Sequence, residues 1–393
     1  MAIAAFAVAS GQASEVAPAL AGRADGAWAL AWYTGTLDTQ MHVFLQVSTT
    51  GGATPGAPLQ CDDLQPHFAY APSVTALADG TWLVVWRDED FFGGKVRYFG
   101  RRIATDASVA LGPVFEITSG AQWAGNGSTN VVSPLAVRLR NDLVLVAWPA
   151  ASQPGQPASV HARLLSASGV PQGPELDTGA QQSGAEAISP AIAPMPAGEC
   201  VLAWQTSSKK GPVSVVGRRF DSAGQPVGDV MALSPGAQAY EALPAVAAFA
   251  DGGLFLTWKA GDVTTSTTPV AVVGRAWGTT SPAPSSPGQL QPVGKDPDGS
   301  YPDQAPVATL AGDRVAVVWH DAGAAGSVFL RRYYRPSDVL DCLATDLAGP
   351  LEPGETGPRH LPSVAALADG RVLTAWTTMV NGLPRLRVRI LPQ

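Results

Sequence analysis

The feature that most constrains this chain is a phrase that recurs seven times: a proline, an apolar run, a turn, a second apolar run and a tryptophan. Its prolines are Pro18, Pro72, Pro134, Pro190, Pro244, Pro306 and Pro362, and its tryptophans are Trp32, Trp86, Trp148, Trp204, Trp258, Trp319 and Trp376. The offset from proline to tryptophan is 14 in every copy except the sixth, where it is 13. Successive prolines are spaced by 54, 62, 56, 54, 62 and 56 residues, so the spacing itself repeats, as duplication of a three-unit block plus one further unit would leave it. Self-similarity at such a period means a repeat architecture in which each unit buries its apolar faces against its neighbours.

Within a unit, as in ALADGTWLVVW, two apolar runs flank an Asp-Gly turn, which reads as a β-hairpin. A third run carries arginine, as in VRYFGRRI and VVGRRF, and a fourth is short and follows Gly-Pro or Pro-Val-Gly. The last unit ends after its third run at the C-terminus, while residues 3–9 precede the first unit with nothing to pair to. If that segment supplies the outer strand of unit 7, the ends complete each other and no strand edge stays open.

Four strands in a unit of this length resemble the blade of a β-propeller. The expectation is therefore an all-β fold: one seven-bladed β-propeller over 1–393, with four antiparallel strands per blade and a ring closed by the N-terminal strand. The WD dipeptide, the kelch double glycine and the Asp-rich calcium loops of integrin-type blades are not in the sequence. The Asp79-Gly80-Thr81-Trp82 phrase has the wrong spacing for a sialidase Asp box.

A hydrophobic fraction of 46%, 42 glycines and 34 prolines suit a packed chain with many turns. The formal net charge of −7 and the absence of basic clusters argue against nucleic acid as a partner. No run approaches the length of a membrane span, and MAIAAFAVAS has no basic stretch before its apolar one, so no signal peptide is recognised. The expectation is a soluble protein, cytoplasmic or exported by a route not visible here. Cys61, Cys200 and Cys342 suggest buried free thiols rather than a disulfide framework.

The tryptophans and the third-strand arginines Arg101, Arg163, Arg218, Arg275, Arg331 and Arg387 read as packing, the arginines covering apolar surface and pairing with carboxylates. No GxSxG or HExxH motif is present, the five histidines lack metal-ligand spacing, and the innermost strands begin with apolar residues where a glycosidase would place its carboxylates. A non-enzyme is expected.

Ligand contacts are expected where the chain enters each innermost strand: Glu15; Phe68 and Tyr70; Trp123; Glu186; Tyr240 and Glu241; Tyr301 and Asp303; Arg359 and His360. Aromatic faces beside carboxylates suit a sugar. The plan is similar to that of bacterial seven-bladed propeller lectins, which implies a multivalent glycan- or monosaccharide-binding protein. The alternative is a scaffold docking a protein partner through these loops or through Phe91 and Phe92, and a glycan-processing enzyme comes third. No cofactor is expected; calcium at Asp296, Asp298 and Asp303 is the one alternative, weakened by a missing closing glutamate.

Overall fold

The computed structural model describes residues 6–7, 15–35, 40–52, 54–63, 68–90, 94–120, 122–124, 133–180, 185–208, 212–236, 240–261, 270–278, 291–296, 305–321, 326–340, 344–356 and 359–393. Among these, regular structure consists of strands and two 3₁₀ turns, at Arg140–Asp142 and Arg335–Ser337. The strands form six sheets. Five correspond to single repeat units; the eight-stranded one holds units 4 and 5, joined by one parallel pair, Val213 with Tyr240.

Unit 1 shows the pattern. Val16–Gly22, Trp28–Thr34, His42–Ser48 and Leu59–Gln60 run antiparallel in chain order. The Asp-Gly turn joins the first two, with Asp25 accepting the Ala27 N–H at 3.1 Å. In unit 7 the order is His360–Ala366, Val372–Val380 and Leu383–Leu391, and the fourth strand is Phe6–Ala7, paired antiparallel through Phe6 with Val388 and Ala7 with Arg387.

Each tryptophan of the repeat is buried and faces the preceding unit. The core is accordingly divided among the unit boundaries. One apolar cluster joins units 1 and 2 through Trp86, and comparable clusters join each later pair up to units 6 and 7. A further cluster packs Trp28, Leu30 and Trp32 of unit 1 on Leu373, Leu386 and Val388 of unit 7. Burying an indole removes 150–250 Å² from water, so these positions dominate the cohesion between units.

Arg101 pairs with Asp63 at 3.2 Å and Arg218 with Asp177 at 3.8 Å, as expected, and these arginines also bond to backbone carbonyls. Arg101, Arg163 and Arg218 donate from Nε to Gly112, Gly173 and Gly228 carbonyls in their own units, at 3.1, 3.2 and 3.0 Å. From Nη1 they donate to Cys61, Ile117 and Asp177 carbonyls in the preceding unit, at 3.0, 2.9 and 3.2 Å. The planar fork, with donors in two directions, stitches neighbouring units through backbone oxygens. In unit 7 this place belongs to Arg389, opposite Thr374 and bonded to the Leu347 carbonyl, and not to Arg387, which pairs with Glu352 and Glu355. Cys61 and Cys200 are buried free thiols, and burial pushes both up.

Candidate functional site

The entry to the innermost strand has a geometry of its own. In five units the residue before the proline lies in the left-handed region: Ala17, Ala71, Ser189, Leu243 and Leu361, with φ between 50° and 54°. None is glycine, and a residue before proline ordinarily favours extended backbone. Each sits in a β-bulge that shifts register, and just before the bulge the residue two before the proline pairs with the one following the tryptophan. The pairs are Val16 with Tyr33, Tyr70 with Arg87, Ile188 with Gln205, Ala242 with Lys259, and His360 with Thr377.

The bulge turns the residue three before the proline inward, which corrects the expectation of an exposed ligand loop. Glu15, Glu241 and Arg359 are each no more than 2% exposed. Glu15 accepts the Leu386 N–H of unit 7 at 3.2 Å, and Glu241 accepts the Gly236 N–H at 2.8 Å. Arg359 donates to Glu355 at 2.6 Å and to the Gly349 carbonyl at 2.7 Å, holding the chain that leads into unit 7. These charges are committed to folding.

Phe68 and Tyr70 come together with Tyr33 and Met41 of unit 1, where the Tyr33 and Tyr70 rings lie 6.0 Å apart. Trp123 is half-buried and exchanges backbone hydrogen bonds with Ala151. Tyr240 and His360 are half-buried at the starts of their strands. Tyr301, Asp303, Phe91, Phe92 and Asp298 lie outside the described residues, and Asp296 ends the strand Gln291–Asp296. Among the described residues no group of three or more His, Cys, Asp and Glu is placed to hold a metal ion.

Glu186 differs from the other acids. Its Oε1 is buried without a hydrogen-bond partner, and burial pushes its carboxyl up. Poor solvation favours the protonated form of a carboxyl, and perturbed groups of this kind concentrate at functional sites.

Two further groups at the same strand ends escaped the sequence reading. In unit 2, Tyr70, Arg87 and Tyr98 stand abreast on three strands. Arg87 Nη2 donates to Glu89 at 2.7 Å, its guanidinium lies 5.6 Å from the Tyr70 ring centre, and Tyr70 donates its hydroxyl to Glu89. Burial pushes both phenols up, that of Tyr98 to about 12. Arg87 and Glu89 neutralise each other, so the row fixes the strand end and offers no free charge. In unit 1, His42 Nδ1 lies 2.8 Å from the buried Asp62 carboxylate.

The sequence signal for the first group was the residue after the constant tryptophan, which changes chemistry from unit to unit: Tyr33, Arg87, Pro149, Gln205, Lys259, His320 and Thr377. At the opposite ends of the innermost strands a cavity of about 550 Å³ opens beside Gly22, Arg23, Asp79 and Arg138. Its charges are largely internal pairs, Arg23 with Asp25 at 2.6 Å and Asp79 with Arg102.

No family model matches the chain, and no curated protein matches it in sequence. Solved structures do match in fold. A protein of unknown function from Dyadobacter fermentans DSM 18053 is 12% identical with a TM-score of 0.57, covering 100% of this chain and 98% of its own. A polysaccharide lyase of family PL25, an ulvan lyase bound to a GlcA–Rha3S chain, is 9% identical with a TM-score of 0.56, covering 100% and 96%. The GH93 α-L-arabinofuranosidase of Fusarium graminearum with arabinobiose is 10% identical with a TM-score of 0.51, covering 99% and 98%. The named enzymes are β-propeller glycan-processing proteins, and the likeness establishes a propeller-type all-β fold for this chain.

These neighbours overturn the expectation of a non-enzymatic lectin. The innermost strands themselves begin with the apolar phrases PAL, PSV and PAV. The polar groups sit before the bulge, after the tryptophan and on the third strand.

Proposed function

We propose that the chain is a glycan-processing enzyme that cleaves a polysaccharide at the face where innermost strands begin and second strands end. On this reading the sheets are seven blades of a closed ring. The packing of unit 1 on unit 7 and the pairing of Phe6–Ala7 with the last strand support that closure.

The observation that carries the catalytic reading is Glu186, with its unpartnered buried oxygen and its carboxyl pushed up by burial. Breaking a glycosidic bond requires a proton for the departing oxygen, and a carboxyl whose burial favours its protonated form is suited to supply it. Fold neighbours that bind arabinobiose or a uronate–rhamnose chain support a glycan as the substrate class.

The test is incubation of the purified protein with arabinan, a sulfated glucuronate–rhamnose polymer and a sialylated glycan, following new reducing ends and unsaturated products. Cleavage of one of them, lowered about 100-fold or more in Glu186→Gln, is the expected result. A folded wild-type protein that cleaves none of the three sinks the proposal, and a fully active Glu186→Gln removes the residue from it.

A further inference from the structure

Four residues past its proline, each repeat phrase reaches the last residue of the innermost strand. In six units that residue is glycine or apolar: Gly22, Ala76, Pro194, Ala248, Leu310 and Ala366. In unit 3 it is Arg138, so the packing of a strand end does not call for the charge. Arg138 lines the cavity of about 550 Å³ together with the innermost strand ends of units 1, 2 and 4. It is exposed, and among the described residues it has no hydrogen-bond or ion-pair partner.

The other charges of the cavity are engaged. Arg23 donates from Nε and Nη2 to Asp25 at 2.8 and 2.6 Å and from Nη1 to the Gly80 carbonyl, and its guanidinium lies 5.3 Å from the Trp82 ring centre. Asp79 accepts the Thr81 N–H at 3.0 Å, the Thr81 hydroxyl at 2.6 Å and Arg102. One guanidinium is left to be balanced from outside.

The walls indicate by what. Ala21, Ala24, Ala76 and Ala78 give short apolar sides and leave a volume within the range of small-molecule sites. Each innermost strand ends its sheet, so one edge of its backbone has no strand beside it. That edge already bonds hydroxyls elsewhere: the Leu20 N–H donates to Ser363 Oγ at 3.1 Å, and the Thr309 hydroxyl donates to the Ala248 carbonyl at 2.7 Å. A guanidinium forks onto a carboxylate, and open backbone edges and Thr75 suit hydroxyl groups.

We propose that this cavity binds a hydroxylated carboxylate of monosaccharide size, such as a uronic acid, with Arg138 as the residue that recognises its charge. One carboxylate matches one free guanidinium, whereas a phosphate monoester brings close to two charges at neutral pH. The inference is independent of the cleavage reading, because Glu186 lies near the start of the strand whose last residue, Pro194, lines the cavity.

Isothermal titration calorimetry of the whole protein with sodium D-glucuronate at about 0.15 M ionic strength tests this, with D-glucose and sodium sulfate as comparisons. D-Glucuronate should bind, and D-glucose, which lacks the carboxylate, should bind about 10-fold more weakly or worse. Arg138→Gln should weaken D-glucuronate by about 10-fold or more. Ala78→Phe, at an exposed turn position on the cavity wall, should do the same by filling the mouth. Arg140→Gln removes an exposed arginine that does not line the cavity and should leave the affinity within about threefold.

A folded protein that takes up no D-glucuronate overturns the proposal. Affinity unchanged in Arg138→Gln or in Ala78→Phe places the sugar elsewhere and overturns the site. Sulfate bound as tightly as D-glucuronate overturns the ligand class, since a plain anion would then suffice.

Discussion

Units 1 and 3 each set a third-strand histidine against a carboxylate at 2.8 Å, His42 with Asp62 and His161 with Glu175, yet the two pairs have opposite characters. His161 lies opposite Trp148, stacks on it with ring centres 6.0 Å apart, and meets the Ala150 carbonyl with Nε2 at 3.2 Å. Both of its nitrogens are engaged. In unit 1 the stacking place opposite Trp32 belongs to Phe44, and the histidine stands two residues nearer the strand end. A shift of two residues keeps the side chain on the same sheet face and moves it from the core to its rim. A histidine–carboxylate pair is therefore enclosed in the core in one unit and stands at its rim in the other.

The largest effect that bears on this contrast is removal of the wall against which His161 is closed. Trp148 also donates from Nε1 to Gln122 at 2.8 Å, and Gln122 in turn donates to Glu175 at 3.2 Å. Trp148→Ala should cost about 3–5 kcal/mol by opening a cavity between units 2 and 3. It should also raise carbethoxylation of His161 towards the rate of His42. Urea unfolding and peptide mass analysis measure the two, and a variant as stable as the wild type with an unreactive His161 breaks the comparison.

The fold was legible because its determinants are local and repeated. Proline, Asp-Gly turn and tryptophan recur in register, and a period of that length admits few architectures. The site was less legible for two physical reasons. The bulge depends on positive φ at Ala17, Ala71, Ser189, Leu243 and Leu361, residue types that give no warning of a left-handed backbone, and it buried Glu15 and Glu241 where a plain strand would have shown them. The histidine pairs join a third strand to the chain that follows it, across 20 residues in unit 1 and 14 in unit 3, and form no motif. Glu186 was visible as an acid near its proline, but its solvation was not.

A smaller effect separates the two carboxylates. Glu175 accepts from His161, from Ser119 Oγ at 2.6 Å and from Gln122, so Glu175→Gln strands several donors and should cost about 1–3 kcal/mol. Asp62→Asn retains an oxygen for the Val43 N–H and leaves His42 able to turn to water, so its cost should stay within about 1 kcal/mol. Denaturation midpoints at constant m-value compare them. Equal losses would mean that the Asp62 pair is as structural as its counterpart.

The smallest effect is one of sign. Burial pushes the Glu175 carboxyl up, but hydrogen bonds from His161 and Ser119 and the attraction of His161 outweigh it and hold the group below the usual range. A depressed value contributes stability that is fully present above the ordinary glutamate value and is lost as pH falls through the folded one. Glu186 is the reverse: burial alone raises it, so its contribution is fully present below the ordinary value and is lost as pH rises through the folded one. Tm followed from about pH 3 to pH 8 should therefore move in opposite directions in the two variants. Glu175→Gln should lower Tm most at neutral pH and converge on the wild type in acid. Glu186→Gln should raise Tm slightly at neutral pH, because the wild type must either charge a poorly solvated carboxyl or hold its proton against the solution, and this gain should vanish in acid. A Glu186→Gln protein less stable than the wild type at neutral pH would show the carboxylate to be well solvated or paired, and would withdraw the proton donor from the site.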